Sequence, residues 1–179
     1  SQWGHDFRQD YLLLNQLKQY FPTVPRMALT ATATLVTRSE IALRLELEQP
    51  KTFVTSFDRP NIHYTVSQKS EPKKQLLRFL TAHREESGIV YCLSRKQVES
   101  TALFLSDRGL TALPYHAGLS ADQRKHNQSR FLREEQISMV ATGAFGLGID
   151  KPDVRFVVPM NLPKSMEAYY QEPGRAGRD

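Results

Sequence analysis

From Glu71 to Val158 the chain alternates between stretches whose apolar residues recur at helical spacing and short apolar runs that read as strands. This alternation restricts the fold more than any other feature, because βαβ units close only as a mainly parallel sheet with helices on both faces. The spacing predicts a helix over 71–85, with Pro72 tolerated in its first turn and Gly88 closing it. A strand over 89–93 follows. Ser94, with Gln97 three residues on, caps a helix whose face is Val98, Ala102 and Leu105 and which Gly109 ends. A strand over 111–115 leads to Ser120 and Gln123, the opening of a capped helix that runs towards Leu132. Strands over 137–141 and 154–158 come next, then a short helix over 165–172 halted by Pro173.

The first third repeats the pattern more loosely. A helix is expected over 10–20, a strand over Met27-Ala28-Leu29, and a helix from Thr37 with Glu40 completing a capping box and Pro50 ending it. Strands are expected over 52–56 and 62–66, separated by the turn-forming Phe57-Asp58-Arg59-Pro60-Asn61. The organisation expected is an α/β chain in two parts, 1–51 and 52–179.

Ligands of open α/β sheets bind beyond the carboxyl ends of the strands. The unusual residues are expected there: Ser94-Arg95, His116-Ala117-Gly118, Thr142 to Asp150, and the segment after the last helix. With 24 basic and 19 acidic residues the net charge is +5, which favours polyanionic partners. Cys92 is the single cysteine, which excludes an intramolecular disulfide and a cysteine-rich zinc site, and its apolar neighbours predict a buried strand residue. No apolar run reaches the ~20 residues of a membrane span, and the start has no signal-peptide pattern. The missing initiator methionine is taken to mean a chain cut from something longer.

The tail Gln171-Glu172-Pro173-Gly174-Arg175-Ala176-Gly177-Arg178 is the most informative stretch. Two arginines three apart stand among small residues. Glycine permits close backbone approach to a ligand, and a guanidinium grips phosphate oxygens in a planar fork.

Residues 169 to 179, Tyr-Tyr-Gln-Glu-Pro-Gly-Arg-Ala-Gly-Arg-Asp, resemble motif VI of superfamily 2 helicases in the form typical of the RecQ family. The resemblance extends along the chain. Trp3-Gly4-His5-Asp6-Phe7-Arg8 looks like the aromatic-rich loop after that family's DEAH box, and Ala28-Leu29-Thr30-Ala31-Thr32-Ala33 looks like motif III. Val90 to Glu99 is similar to motif IV, Tyr115-His116-Ala117-Gly118-Leu119 to motif IVa, and Ala141 to Arg155 to motif V. Two departures stand out: Pro173 replaces a small hydroxyl residue, and Gly143 replaces a larger apolar one.

The resemblance implies a RecA-like second helicase lobe preceded by part of the first. It makes Arg178 an arginine finger towards the γ-phosphate, Arg175 a second phosphate contact and Gln171 a nucleotide sensor, with Gly148 and Asp150 at the nucleotide edge. Trp3, Phe7 and Arg8 would sense single-stranded DNA, aromatics being able to stack on any base. Thr30, Thr32, Ser94, Arg95, His116 and Thr142 complete the implied nucleic-acid contacts.

ATP and magnesium are the implied cofactors, held mostly by a first lobe outside this sequence. No G-x-x-x-x-G-K-S/T phosphate loop occurs in the 179 residues, so the chain alone is expected to be inactive. The implied partners are single-stranded and duplex DNA, the implied activity 3′-to-5′ unwinding, and the expected place the cytoplasm and nucleoid of a bacterium or a nucleus. Rival readings are an RNA helicase of the DEAD-box type and a non-catalytic nucleic-acid-binding module.

Overall fold

The computed structural model describes residues 9–30, 33–55, 60–143, 145, 151–161 and 176–177. The chain divides into two compact units, Ser1–Ser56 and Phe57–Asp179.

In the first unit the expected helix over 10–20 is tightly wound. Gln9–Gln16 is 3-10, and only Leu17–Tyr20 (α1) is α-helical. The next helix, α2 (Leu35–Arg44), begins two residues before the expected start, because Thr34 is its cap: Thr34 Oγ1 accepts from the Thr37 amide at 3.2 Å. A helix end leaves its last carbonyls without partners. Arg26 covers that end, donating from Nη1 to the Leu45 carbonyl at 2.6 Å and from Nη2 to the Glu46 carbonyl at 2.9 Å. Lys18 pairs with Glu48 at 2.7 Å, and its hydrogen bond holds the Glu48 carboxyl below the usual carboxylate range. The expected strands over 27–29 and 52–56 are not formed in the described residues. Met27, Leu29 and Phe53 are 82%, 83% and 89% exposed, and no described strand of this unit offers a ladder for them. A strand exists through its partner, so apolar β-prone residues alone do not make one.

The second unit is built on four parallel strands, β1 (Ser87–Tyr91), β2 (Ala112–Tyr115), β3 (Ser138–Ala141) and β4 (Val154–Pro159), in the order β2-β3-β1-β4. Among the described residues three helices accompany them: α3 (Pro72–Ala82), α4 (Arg95–Ser106) and α5 (Ala121–Arg133). Each strand lies within two residues of its expected place. The expected strand over 62–66 is absent.

Side chains alternate across the sheet. Val90, Cys92, Val140 and Phe156 pack with Leu76 and Leu80 of α3 and Val98, Ala102 and Leu105 of α4. Ile89, Tyr91, Met139, Ala141 and Val154 pack on the other face with Phe131 of α5 and with Phe145. Val154 and Phe156 would share a face in a regular strand. They do not, because the register slips between Ser87 and Gly88 and the bulge at Arg155 turns the rest of β4 over. Gly88, expected to close a helix, instead lies within β1, where the ring of Phe156 covers its Cα. Lys151, 5% exposed, is satisfied by Asp153 at 3.0 Å, the Glu134 carbonyl at 3.4 Å and the Phe131 ring.

Ala176 is buried in the α5-side core. Gly177, at φ 58°, donates its amide to the Val154 carbonyl at 3.1 Å and accepts from Asn61 Nδ2 at 2.8 Å. Val154 is the first residue of β4. Ala176 and Gly177 therefore sit at the amino end of the sheet, which corrects for these two residues the expectation of a place in the carboxyl-end group. The expected helix over 165–172 lies outside the described residues.

Cys92 is 4% exposed, and burial pushes its thiol above the ordinary range despite the nearby Thr101 hydroxyl and Lys73. Little thiolate exists at mild pH, so a thiol reagent is expected to modify the native protein far more slowly than the urea-unfolded one. Labelling at equal rates in both states would contradict the burial.

Candidate functional site

The parallel register brings three segments out side by side. Tyr91 pairs with Ala141, and Tyr115 also pairs with Ala141, so β1, β2 and β3 end level. Leu93-Ser94-Arg95 follows β1, His116-Ala117-Gly118 follows β2, and Thr142 follows β3. Neighbouring parallel strands are about 4.8 Å apart, so these segments form one continuous rim.

Ser94 is both cap and rim residue. Its Oγ accepts from the Gln97 amide at 3.2 Å, and Gln97 Oε1 accepts from the Leu93 amide at 3.3 Å. The cap uses a lone pair and leaves the hydroxyl proton to donate outward. Arg95, the first residue of α4, is exposed. Thr142 is half-buried and donates its amide to the Tyr115 carbonyl at 3.2 Å, while its own carbonyl accepts from Phe145.

His116 differs from the others. It is 3% exposed, and both ring nitrogens are occupied. Nδ1 accepts from the Gly118 amide at 3.1 Å, which places the ring proton on Nε2, 3.1 Å from Glu99 Oε1. The Leu119 amide closes a turn onto the His116 carbonyl at 3.1 Å. Both ring nitrogens of His116 are thus partnered within the protein. Arg95 lies close over Gly118: a Cβ there would stand 3.1 Å from His116 Nδ1 and 3.2 Å from Arg95 Cδ and Nη1.

A shallow recess of about 420 Å³ adjoins the rim, lined by Tyr115, Arg124, Lys125, Gln128 and Ser129 among others. Arg124 and Lys125 were missed in the sequence. The available signal was that positions 121, 124, 125, 128, 129 and 132 of a capped helix share one side, which carries two cations and no acid.

Thr30 lies in the first unit and is exposed. Trp3, Phe7, Arg8, Thr32, Gly148, Asp150, Gln171, Arg175 and Arg178 lie outside the described residues. Among the described residues no group of three or more His, Cys, Asp or Glu stands together to hold a metal ion, and no helix is long and apolar enough to cross a membrane.

Residues 71–179 match the family described as helicase conserved C-terminal domain. Over 179 residues the chain is 52% identical to the ATP-dependent DNA helicase RecQ of Pasteurella multocida, covering all of this chain and 28% of that protein. It is 50% identical to the same-named protein of Haemophilus influenzae, 29% of which is covered. It is 48% identical over 184 aligned residues to the RecQ-like DNA helicase BLM of Xenopus laevis, 13% of which is covered. The chain thus spans less than a third of the curated relatives it matches. Among solved structures, a DEAD box protein from Methanococcus jannaschii superposes with TM-score 0.53 at 32% identity, over 60% of this chain and 30% of that one. Dbp5 of S. cerevisiae, bound to RNA and ADP BeF3, superposes with TM-score 0.72 over 97% of this chain and 47% of that one. At 18% identity this last likeness shows the fold alone, a RecA-like parallel α/β architecture.

Proposed function

This chain belongs to the helicase conserved C-terminal domain family, in its RecQ form, and we propose on that premise that it supplies the second motor lobe of an ATP-driven DNA helicase translocating 3′ to 5′ on a single strand. One observation carries the reading furthest. The segments resembling motifs IV, IVa and V leave adjacent parallel strands together and set Ser94, Arg95 and Thr142 on a single rim. Hydroxyls, a guanidinium and loop amides suit phosphate oxygens, which position a strand without reading its sequence.

The nucleotide is assigned to a different edge. Arg175 and Arg178 flank a dipeptide anchored at the amino end of β4, and their guanidinium groups would grip the phosphates of bound ATP. ATP supplies the free energy when bound. The residues of this chain orient its phosphates and couple them, through the sheet between the two edges, to the strand on the rim. Magnesium would be held by residues outside this sequence.

The intact protein is expected to separate DNA duplexes with a 3′ single-stranded tail in the presence of ATP and to leave matching RNA duplexes paired. The 179-residue chain alone is expected to show no ATP turnover above background, since it contains no phosphate loop. Preference for RNA duplexes, measured by gel-based strand separation, would replace this reading with that of an RNA helicase. The expected place of action, chromosomal DNA in a nucleoid or nucleus, follows from the same proposal.

A further inference from the structure

Arg95 and Glu99 stand four apart on α4, the spacing at which opposite charges on a helix normally meet. They do not pair. Among the described residues Arg95 has no carboxylate within 4.0 Å, and Glu99 accepts the Nε2 proton of His116 at 3.1 Å. The buried ring is held in turn by the Gly118 amide on Nδ1. Arg95 lies over the same residue, its Cδ and Nη1 3.2 Å from where a Cβ on Gly118 would stand.

We propose that His116 is a positioning residue for Arg95: it withholds the Glu99 carboxylate from the guanidinium and sets the turn across which Arg95 lies, leaving that cation for a nucleic-acid phosphate. The proposal rests on the reading of the rim as a nucleic-acid interface and deepens it. An arginine neutralised by a carboxylate four residues away must break that pair before it can release a counterion from a phosphate. His116 removes the competitor in advance. Its own contact with the strand is not required.

The test is a titration of the intact protein with dye-labelled oligothymidylate across a salt series. His116→Asn is the informative variant, because an asparagine oxygen still accepts from the amide two residues on but is too short to reach Glu99. It is expected to bind about three- to tenfold more weakly, with the slope of log affinity against log salt shallower by about 0.7. Glu99→Gln should bind at least as tightly as wild type. Combining the two should restore binding, since a neutral amide at 99 cannot neutralise Arg95. A purely structural His116 predicts no restoration. In an Arg95→Ala background, His116→Asn should have no further effect on binding, and that surface variant keeps the comparison interpretable if His116→Asn lowers the melting temperature. Unchanged affinity in His116→Asn, or a double variant no better than His116→Asn, overturns the proposal alone. Wild-type protein that fails to bind oligothymidylate overturns the interface reading as well.

Discussion

Arg178→Ala in the intact protein is expected to lower ATP turnover by about 10³-fold or more while leaving oligothymidylate affinity within about twofold. The two effects separate because the role proposed for Arg178 is towards the nucleotide, while the strand is assigned to the rim. Ala176 is buried in the core, and the Gly177 backbone is bonded to Val154 at 3.1 Å and to Asn61 at 2.8 Å. Phosphoryl transfer spreads charge over oxygens that a guanidinium can meet with two parallel hydrogen bonds. Arg178→Lys retains the charge but not the fork, and is therefore expected to recover only part of the loss. Steady-state turnover at saturating DNA measures the first effect and fluorescence anisotropy the second. Turnover within about tenfold of wild type in Arg178→Ala would remove the arginine from its assigned role.

The second large effect concerns stability. Gly88→Val should destabilise the second unit by about 3 kcal/mol. A Cβ at Gly88 would overlap Cγ, Cδ2 and Cε2 of Phe156. That ring has no easy retreat: it is 6% exposed and meets Phe79 edge-on at 5.5 Å and His83 at 6.0 Å. Moving it would disturb the face shared with α3 and α4. Gly109 provides the control. A side chain there would meet nothing within 4 Å, so Gly109→Ala should cost only about 1 kcal/mol, from forcing a non-glycine residue to φ 81°. Phe156→Leu in the Gly88→Val background should regain part of the loss, because the smaller side chain vacates the overlap. Urea melts decide the matter; a Gly88→Val protein as stable as Gly109→Ala would show that the ring does not occupy that space.

Local signals were the most legible. Ser94 with Gln97 and Ser120 with Gln123 predicted helix starts that the structure bears out, the second as a full capping box. Gly109 ends α4 at positive φ, as its place in the sequence suggested. Each of these depends on bonds within a few residues. Thr37 misled because Thr34, three residues earlier, offered the same chemistry and had the extended backbone a cap requires. The residues over 27–29, 52–55 and 62–66 misled differently, since their β-prone character needs a partner strand to be expressed.

The candidate site shows the same division. The grouping of Ser94, Arg95 and Thr142 was readable, because parallel strands in βαβ order must release their loops at one edge. The inward-facing His116, the cations of the α5 recess and the place of Gly177 were not.

By itself, then, the order of residues determined the parallel α/β class, the caps at Ser94 and Ser120 and the family, all of which follow from periodicity, short-range bonding or motif order. Tertiary structure alone decided the strand order β2-β3-β1-β4, the ring lying on Gly88, the anchoring of the tail at the amino edge and the diversion of Glu99 from Arg95 to His116. The physical reason is that each of these joins groups distant along the chain, or chooses between two partners for one polar atom. Such choices are settled by which neighbour packing brings within bonding distance.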